Sequence, residues 1–145
     1  MYDPYDKEKY PERKNPRLNG YDYSAANYYF VTVCTAGKVN LFASHEEESP
    51  YRAIAESGLL KIPEHYPGVT VDKMVVMPNH IHMILVLNGM TASLDKIVGS
   101  FKSYVTKEIH KIHPDIAVWQ KSFHDHIIRN EEGYQNIWSY IDSNP

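Results

Sequence analysis

With 145 residues, 43% hydrophobic and 23% charged, the chain has the size and composition of one globular domain built on a single core. A formal net charge of −3 excludes broad electrostatic coating of nucleic acid and still allows a local basic groove. The lone Cys34 excludes a disulfide framework and a cysteine zinc site; with no signal-like opening and no apolar run near the ~18 residues of a membrane span, a soluble cytoplasmic protein is expected.

Residues 1–19 are rich in proline, tyrosine and charge, with Lys7, Lys9, Arg13, Lys14 and Arg17, and show no helical or strand period. They read as a flexible N-terminal arm, with residues 20–145 as the single folded domain. Tyr28 to Thr35 is β-branched and aromatic, which predicts a strand broken by Ala36-Gly37-Lys38. Ser49 to Tyr66 predicts a helix, with Ser49 as N-cap and Pro50 at the first position. Ile54, Leu59, Leu60 and Ile62 supply its apolar side, and Gly58 weakens its interior. Val69 to Val76 predicts a second strand, joined at Pro78-Asn79 to a third as a hairpin.

Between Thr91 and Ile112, Leu94, Ile97, Val98, Phe101, Val105, Ile109 and Ile112 recur at three and four, the stripe of an amphipathic helix. Lys102 and Lys107 lie off the stripe, as on a solvated face or, less simply, a phosphate-contacting one. Ala117 to Arg129 predicts a strand, and Glu131 to Ser143 a final helix whose core stripe is Tyr134, Ile137, Trp138 and Ile141. The order β-α-β-β-α-β-α predicts an α+β fold: a ferredoxin-like split βαβ with an antiparallel sheet, helices on one face, and an added C-terminal helix.

Two features stand out from this frame. Val75 to Leu87, VVMPNHIHMILVL, places His80 and His82 two apart in an otherwise apolar run. Side chains alternate along a strand, so both rings point the same way and can converge on one ion, whereas Ile81, Met83, Leu85 and Leu87 fill the other face. The plain alternative is two histidines at a strand end, hydrogen-bonded or half exposed. The second feature is Tyr140, out of register with its helix's core stripe and four residues from Asn136 and Asn144 on the same face. If His80, His82 and Asn144 share one ion, the mixed nitrogen and oxygen set with no thiolate suits Mg²⁺ or Mn²⁺ at least as well as zinc. Such a site polarises a phosphodiester oxygen, and it would offset the poor nucleophilicity of a phenol one helical turn away. Asp142 is the nearest carboxylate, at the wrong helical angle to face Tyr140.

A histidine-hydrophobic-histidine strand, His80-Ile81-His82, with a helical tyrosine near the C-terminus resembles the HUH single-tyrosine endonucleases and transposases. Five longer strings look like their REP-associated tyrosine transposase branch: RLNGYDYSAANYYFVTVCT (17–35), VVMPNHIHMILVL (75–87), IVGSFKSYVTKEI (97–109), WQKSFHDHIIRN (119–130) and YIDSNP (140–145). By that resemblance His80 and His82 match the metal histidines, Tyr140 the nucleophile, and Asn144 the amide ligand that is a glutamine in the insertion-sequence relatives.

The resemblance implies a metal-dependent endonuclease and strand transferase. Tyr140 would attack single-stranded DNA that folds into hairpins, passing through a 5′-phosphotyrosine and freeing a 3′-OH. Arg17 and the arm would read a guide sequence beside the hairpin. Lys102, Lys121 and Arg129 would contact the DNA backbone. His124 and His126 would share one strand face as DNA contacts or supports of the site, with an ordinary structural role equally open. A monomer is expected, with a homodimer as the alternative. Because the family continues beyond the tyrosine helix, a chain ending at Pro145 is expected to leave that helix as a frayed end. A non-catalytic hairpin-binding module, a replication or mobilisation initiator, and an unrelated ferredoxin-like metal protein are the competing readings.

Overall fold

The computed structural model describes residues 27–42, 49–88 and 92–143, so Arg17 with the predicted arm, and Asn144, lie outside the described residues. In chain order the elements are β1 (Asn27–Cys34), a 3-10 turn (Ala36–Lys38), α1 (Pro50–His65), β2 (Val69–Val76), β3 (His80–Leu87), α2 (Leu94–His110), β4 (His124–Ile128) and α3 (Glu131–Ser143). The strands form one antiparallel sheet in the order β2-β3-β1-β4, the order of a split βαβ fold.

The alternation of side chains divides the molecule into two apolar layers. Tyr29, Val31 and Val33 of β1, with Ile81, Met83, Leu85 and Leu87 of β3, face α1 and α2 and make the larger core. The opposite face carries a smaller core, in which Phe30, Ile84 and Ile128 meet Ile137 and Ile141 of α3. The helix bearing Tyr140 therefore lies on the face from which His80 and His82 project.

Local chemistry explains the boundaries. The Ser49 hydroxyl accepts from the Tyr51 amide, with Pro50 at the first helical position, and Ser93 accepts from the Lys96 amide at the start of α2. Gly58 is buried where α1 crosses α2; a Cβ there would stand 3.1 Å from ring atoms of both Phe101 and Tyr104. Its cost to helix propensity is exchanged for close approach of the two helices.

Three expectations need correction. Leu60, predicted on the apolar side of α1, is 65% exposed, on a helix face it shares with the exposed Glu56 and Glu64. Ile112, assigned to the α2 stripe, is 54% exposed because the helix ends at His110, before it. The strand predicted from Ala117 to Arg129 is only His124–Ile128. Trp119 makes an isolated bridge with Thr35, the Gln120 amide donates to the Cys34 carbonyl, and Ser122 then turns left-handed at φ 69°. The Lys102 ammonium fixes that kink by donating to the carbonyls of Gln120 (3.0 Å) and Ser122 (2.9 Å). No helix among the described residues is long and apolar enough to cross a membrane.

Candidate active site

The β3–β1–β4 register builds the site row by row. His82 pairs with Thr32, which pairs on its other side with His124; His80 pairs with Cys34 at the end of β1. These side chains, with Lys38, Asn79 and Gln120 from the flanking turns, line a cleft of about 530 Å³ that Tyr140 closes from α3. The predicted pair and the predicted nucleophile thus meet in one place. The imidazoles of His80 and His82 are 4.6 Å apart between centroids, and the Tyr140 ring stands edge-on to His82 at 5.5 Å.

Each imidazole is oriented from behind. His80 Nδ1 lies 2.7 Å from Asn79 Oδ1; an amide oxygen only accepts, so Nδ1 carries the proton and Nε2 keeps its lone pair. His82 Nδ1 lies 2.9 Å from the Thr32 hydroxyl, which can accept from Nδ1–H and would then leave Nε2 as the basic nitrogen. His82 is only 2% exposed, and its Nε2 has no hydrogen-bond partner. Burial lowers the pKa of His80, and burial together with the neighbouring His80 lowers that of His82 to about 3. Both rings are therefore neutral at physiological pH, the protonation state a metal requires.

A buried ring nitrogen without a partner is costly unless something occupies its lone pair. A divalent cation between His80 and His82 fits that requirement. Among the described residues no group of three or more His, Cys, Asp or Glu side chains is placed to hold a metal ion by itself.

Phe30 is the support that sequence reasoning missed. Fully buried, it lies beneath His82 at 5.2 Å, His126 at 6.2 Å and Tyr140 at 6.4 Å between centroids. Thr32 was also missed, because its role depends on a pairing 50 residues away in sequence. Strand alternation could have flagged both, since Phe30 and Thr32 share one face of β1. Cys34 also lines the cleft, but burial, its largest influence, pushes the thiol pKa up against the opposing charges of Lys38 and Lys102, so it stays a protonated thiol.

The remaining candidates disperse. His126 is 5% exposed and stacked on Phe30, so it lies beneath the cleft; His124 is the histidine of β4 that reaches it. Lys102, half-buried, donates from its ammonium to the carbonyls of Gln120 and Ser122. Lys121 is exposed on the same kink. Arg129 is exposed beside a separate cleft with Tyr28 and Tyr134, at the far end of the sheet. Asp142 is turned away from Tyr140 and pairs with Lys73 at 2.9 Å.

The family of IS200-like transposases matches residues 22–144 of the chain. A Haemophilus influenzae protein of uncharacterised role is 30% identical, across 92% of this chain and 88% of its own length. A second protein from that organism, named as a REP-associated tyrosine transposase, is 23% identical, across 86% of this chain and 73% of its own. Among solved structures, a REP-associated tyrosine transposase bound to a REP hairpin superposes with a TM-score of 0.67 at 21% identity, covering 86% of this chain and 69% of the other. A structure from Deinococcus radiodurans named as a transposase gives 0.58 at 16% identity, covering 87% and 95%. At these identities the two structures speak for the fold.

Proposed function

The chain belongs to the IS200-like transposase family, and from that premise we propose that it cuts and rejoins single-stranded, hairpin-forming DNA with Tyr140 as nucleophile and a divalent metal held by His80 and His82. The observation that carries the proposal is the meeting of three groups in one cleft: the Tyr140 ring, 5.5 Å from His82, and two neutral imidazoles 4.6 Å apart between centroids. DNA as substrate is supported by the family, and its hairpin form by the hairpin in the superposable REP-associated structure.

In the forward step the Tyr140 phenolic oxygen bonds to phosphorus and the phosphorus–O3′ bond breaks. The product is a 5′-phosphotyrosine, with the phenol proton leaving to solvent and the freed 3′ oxygen taking one. A second 3′-OH reverses the step, and the bond count is conserved throughout, so no external energy source is needed. Mg²⁺ or Mn²⁺, when bound, would neutralise charge building on the phosphate oxygens. The protein's own contribution is positioning. Asn79 and Thr32 orient the imidazoles, and Phe30 supports the His82 and Tyr140 rings from beneath. Asn144, four residues after Tyr140 in sequence, is the proposed amide ligand, and Arg17, Lys121 and Arg129 are proposed DNA contacts.

The test uses labelled single-stranded hairpin oligonucleotides, with Mn²⁺ or with chelator, on a denaturing protein gel. Wild type should give a shifted covalent band in Mn²⁺ alone, and Tyr140→Phe should give none while remaining folded. An undiminished band from Tyr140→Phe would overturn the nucleophile, and hairpin binding without any band would reduce the protein to a binding module.

A further inference from the structure

The Lys102 ammonium is engaged by the carbonyls of Gln120 and Ser122. Lys38 is the one Lys or Arg among the described residues that lines the cleft. We propose that the Lys38 ammonium binds a backbone phosphate of the DNA strand lying in this cleft, next to the phosphate attacked by Tyr140; this rests on the strand-transfer reading above.

The backbone supplies an independent reason. Gly37 and Lys38 follow one another in left-handed conformations, at φ 61° and 56°. Glycine adopts this region freely and lysine does so at a cost, so a lysine kept there beside a functional cleft points to a use for its side chain. The turn is also tightly referenced to the metal pair. The Thr35 hydroxyl lies 2.7 Å from the Val39 carbonyl and 3.1 Å from that of Asn79, and the Thr35 amide donates to the same Asn79 carbonyl at 3.0 Å. The Asn79 side chain reaches the Lys38 carbonyl through Nδ2 at 3.5 Å and holds His80 through Oδ1. One asparagine thus fixes both the lysine's backbone and the imidazole. The strand enters the cleft with its attacked phosphate between Tyr140 and the histidines and its neighbour over Cys34, toward the lysine.

The unusual dihedral makes a clean test available. Lys38→Gly removes the ammonium and relieves the left-handed strain, so the variant should melt at the same temperature as wild type or higher. Binding of a labelled hairpin oligonucleotide with a single-stranded flank is measured against salt concentration. Lys38→Gly should weaken binding roughly three- to tenfold at low salt and flatten the log–log salt slope by about 0.7, the share of one single-strand phosphate contact. Lys38→Arg should restore most of both. Replacing flanking phosphates one at a time by neutral methylphosphonates should identify one linkage whose neutralisation weakens wild type but leaves Lys38→Gly unchanged. Equal slopes and equal linkage profiles in the two proteins overturn the lysine contact. Covalent adduct is scored in the same samples. No adduct in wild type with the slope difference retained removes the strand-transfer reading and leaves the contact standing; adduct intact with equal slopes does the reverse.

Discussion

His82 should make the fold acid-sensitive in a way that can be isolated. Its pKa is lowered from 6.5 to about 3 in the folded protein, chiefly by burial and then by His80. An unfolded chain returns the imidazole to its ordinary value and binds a proton that the folded state refuses. Stability is therefore complete above about pH 6.5 and falls as pH drops through the window toward about 3. At about pH 4.5 the side chain sits roughly two pH units below its unfolded pKa, at ~1.4 kcal/mol per unit. Allowing for the fraction already protonated in the unfolded chain near neutrality, the loss from about pH 7 to about pH 4.5 is about 2.5 kcal/mol. The figure does not depend on the exact folded value, because pH 4.5 lies above it. For a chain of this size that corresponds to a fall of about 8 °C in Tm. The assay is urea unfolding followed by tryptophan fluorescence, with chelator present, comparing wild type with His82→Asn at the two pH values. Asparagine does not titrate, and groups distant from His82 cancel in the difference between the proteins. Wild type should lose about 2.5 kcal/mol more than the variant over this interval. A difference under about 0.5 kcal/mol would mean that the imidazole takes up its proton without unfolding, and that the floor of the cleft is wet.

The Thr32 hydroxyl sets the orientation of His82, so Thr32→Val should raise the Mn²⁺ concentration for half-maximal covalent adduct by about ten- to a hundredfold, with about 1–2 kcal/mol of stability lost. A metal titration of adduct yield checks this, and an unchanged midpoint would show that Thr32 contributes only to packing. Gly58→Ala gains about 1 kcal/mol of helix propensity but drives a Cβ to 3.1 Å from two rings, a clash costing about 1–3 kcal/mol. The net should be a loss of about 1 kcal/mol in urea, because Phe101 and Tyr104 would both have to give way inside a filled core. Adduct formation should be unchanged, since Gly58 lies on the far side of the sheet; a stabilised variant would mean that the helices part easily.

The parts of the fold that were legible in the sequence are those governed by local period. β3 and its two histidines follow from strict alternation, and the stripes of α2 and α3 from spacings of three and four. Tyr140 was visible as a residue out of register with its own stripe, and only the resemblance gave it a role. What stayed hidden depends on contacts between distant segments. The Lys102 ammonium holds a kink up to 20 residues away, ahead of a β4 that starts only at His124, and an off-stripe lysine looks the same in sequence whether it meets water or carbonyls. His124 and His126 alternate correctly onto one face, yet only the β1–β4 register places Phe30 against the second and opens the first to the cleft. Lys38 stood in a turn signal that was read as punctuation, because neither its dihedral nor its tie to Asn79 is written in the local pattern.

The placement of Tyr140 shows the same limit and what overcomes it. α3 buries only Ile137 and Ile141 fully, a narrow ridge about which a helix could roll. Tyr140 lies on one flank of that ridge, so a roll would carry the phenol away from His82. The other flank is held by β2. A register shift between Val71 and Lys73 lets two consecutive residues of that strand engage α3. The Tyr134 hydroxyl donates to the Asp72 carboxylate, which pushes the phenol's pKa up to about 12. The Lys73 ammonium sits 3.6 Å from the centre of the Trp138 ring and 2.9 Å from the Asp142 carboxylate. Tyr134, Trp138 and Asp142 recur every four residues, so the clamp grips α3 along its length. Asp142, the one carboxylate near enough in sequence to suggest a general base, is committed to this grip. The side chains that set the nucleophile's position thus reach it from a strand edge on the opposite flank, through a bulge that alternation alone would have read as a regular strand.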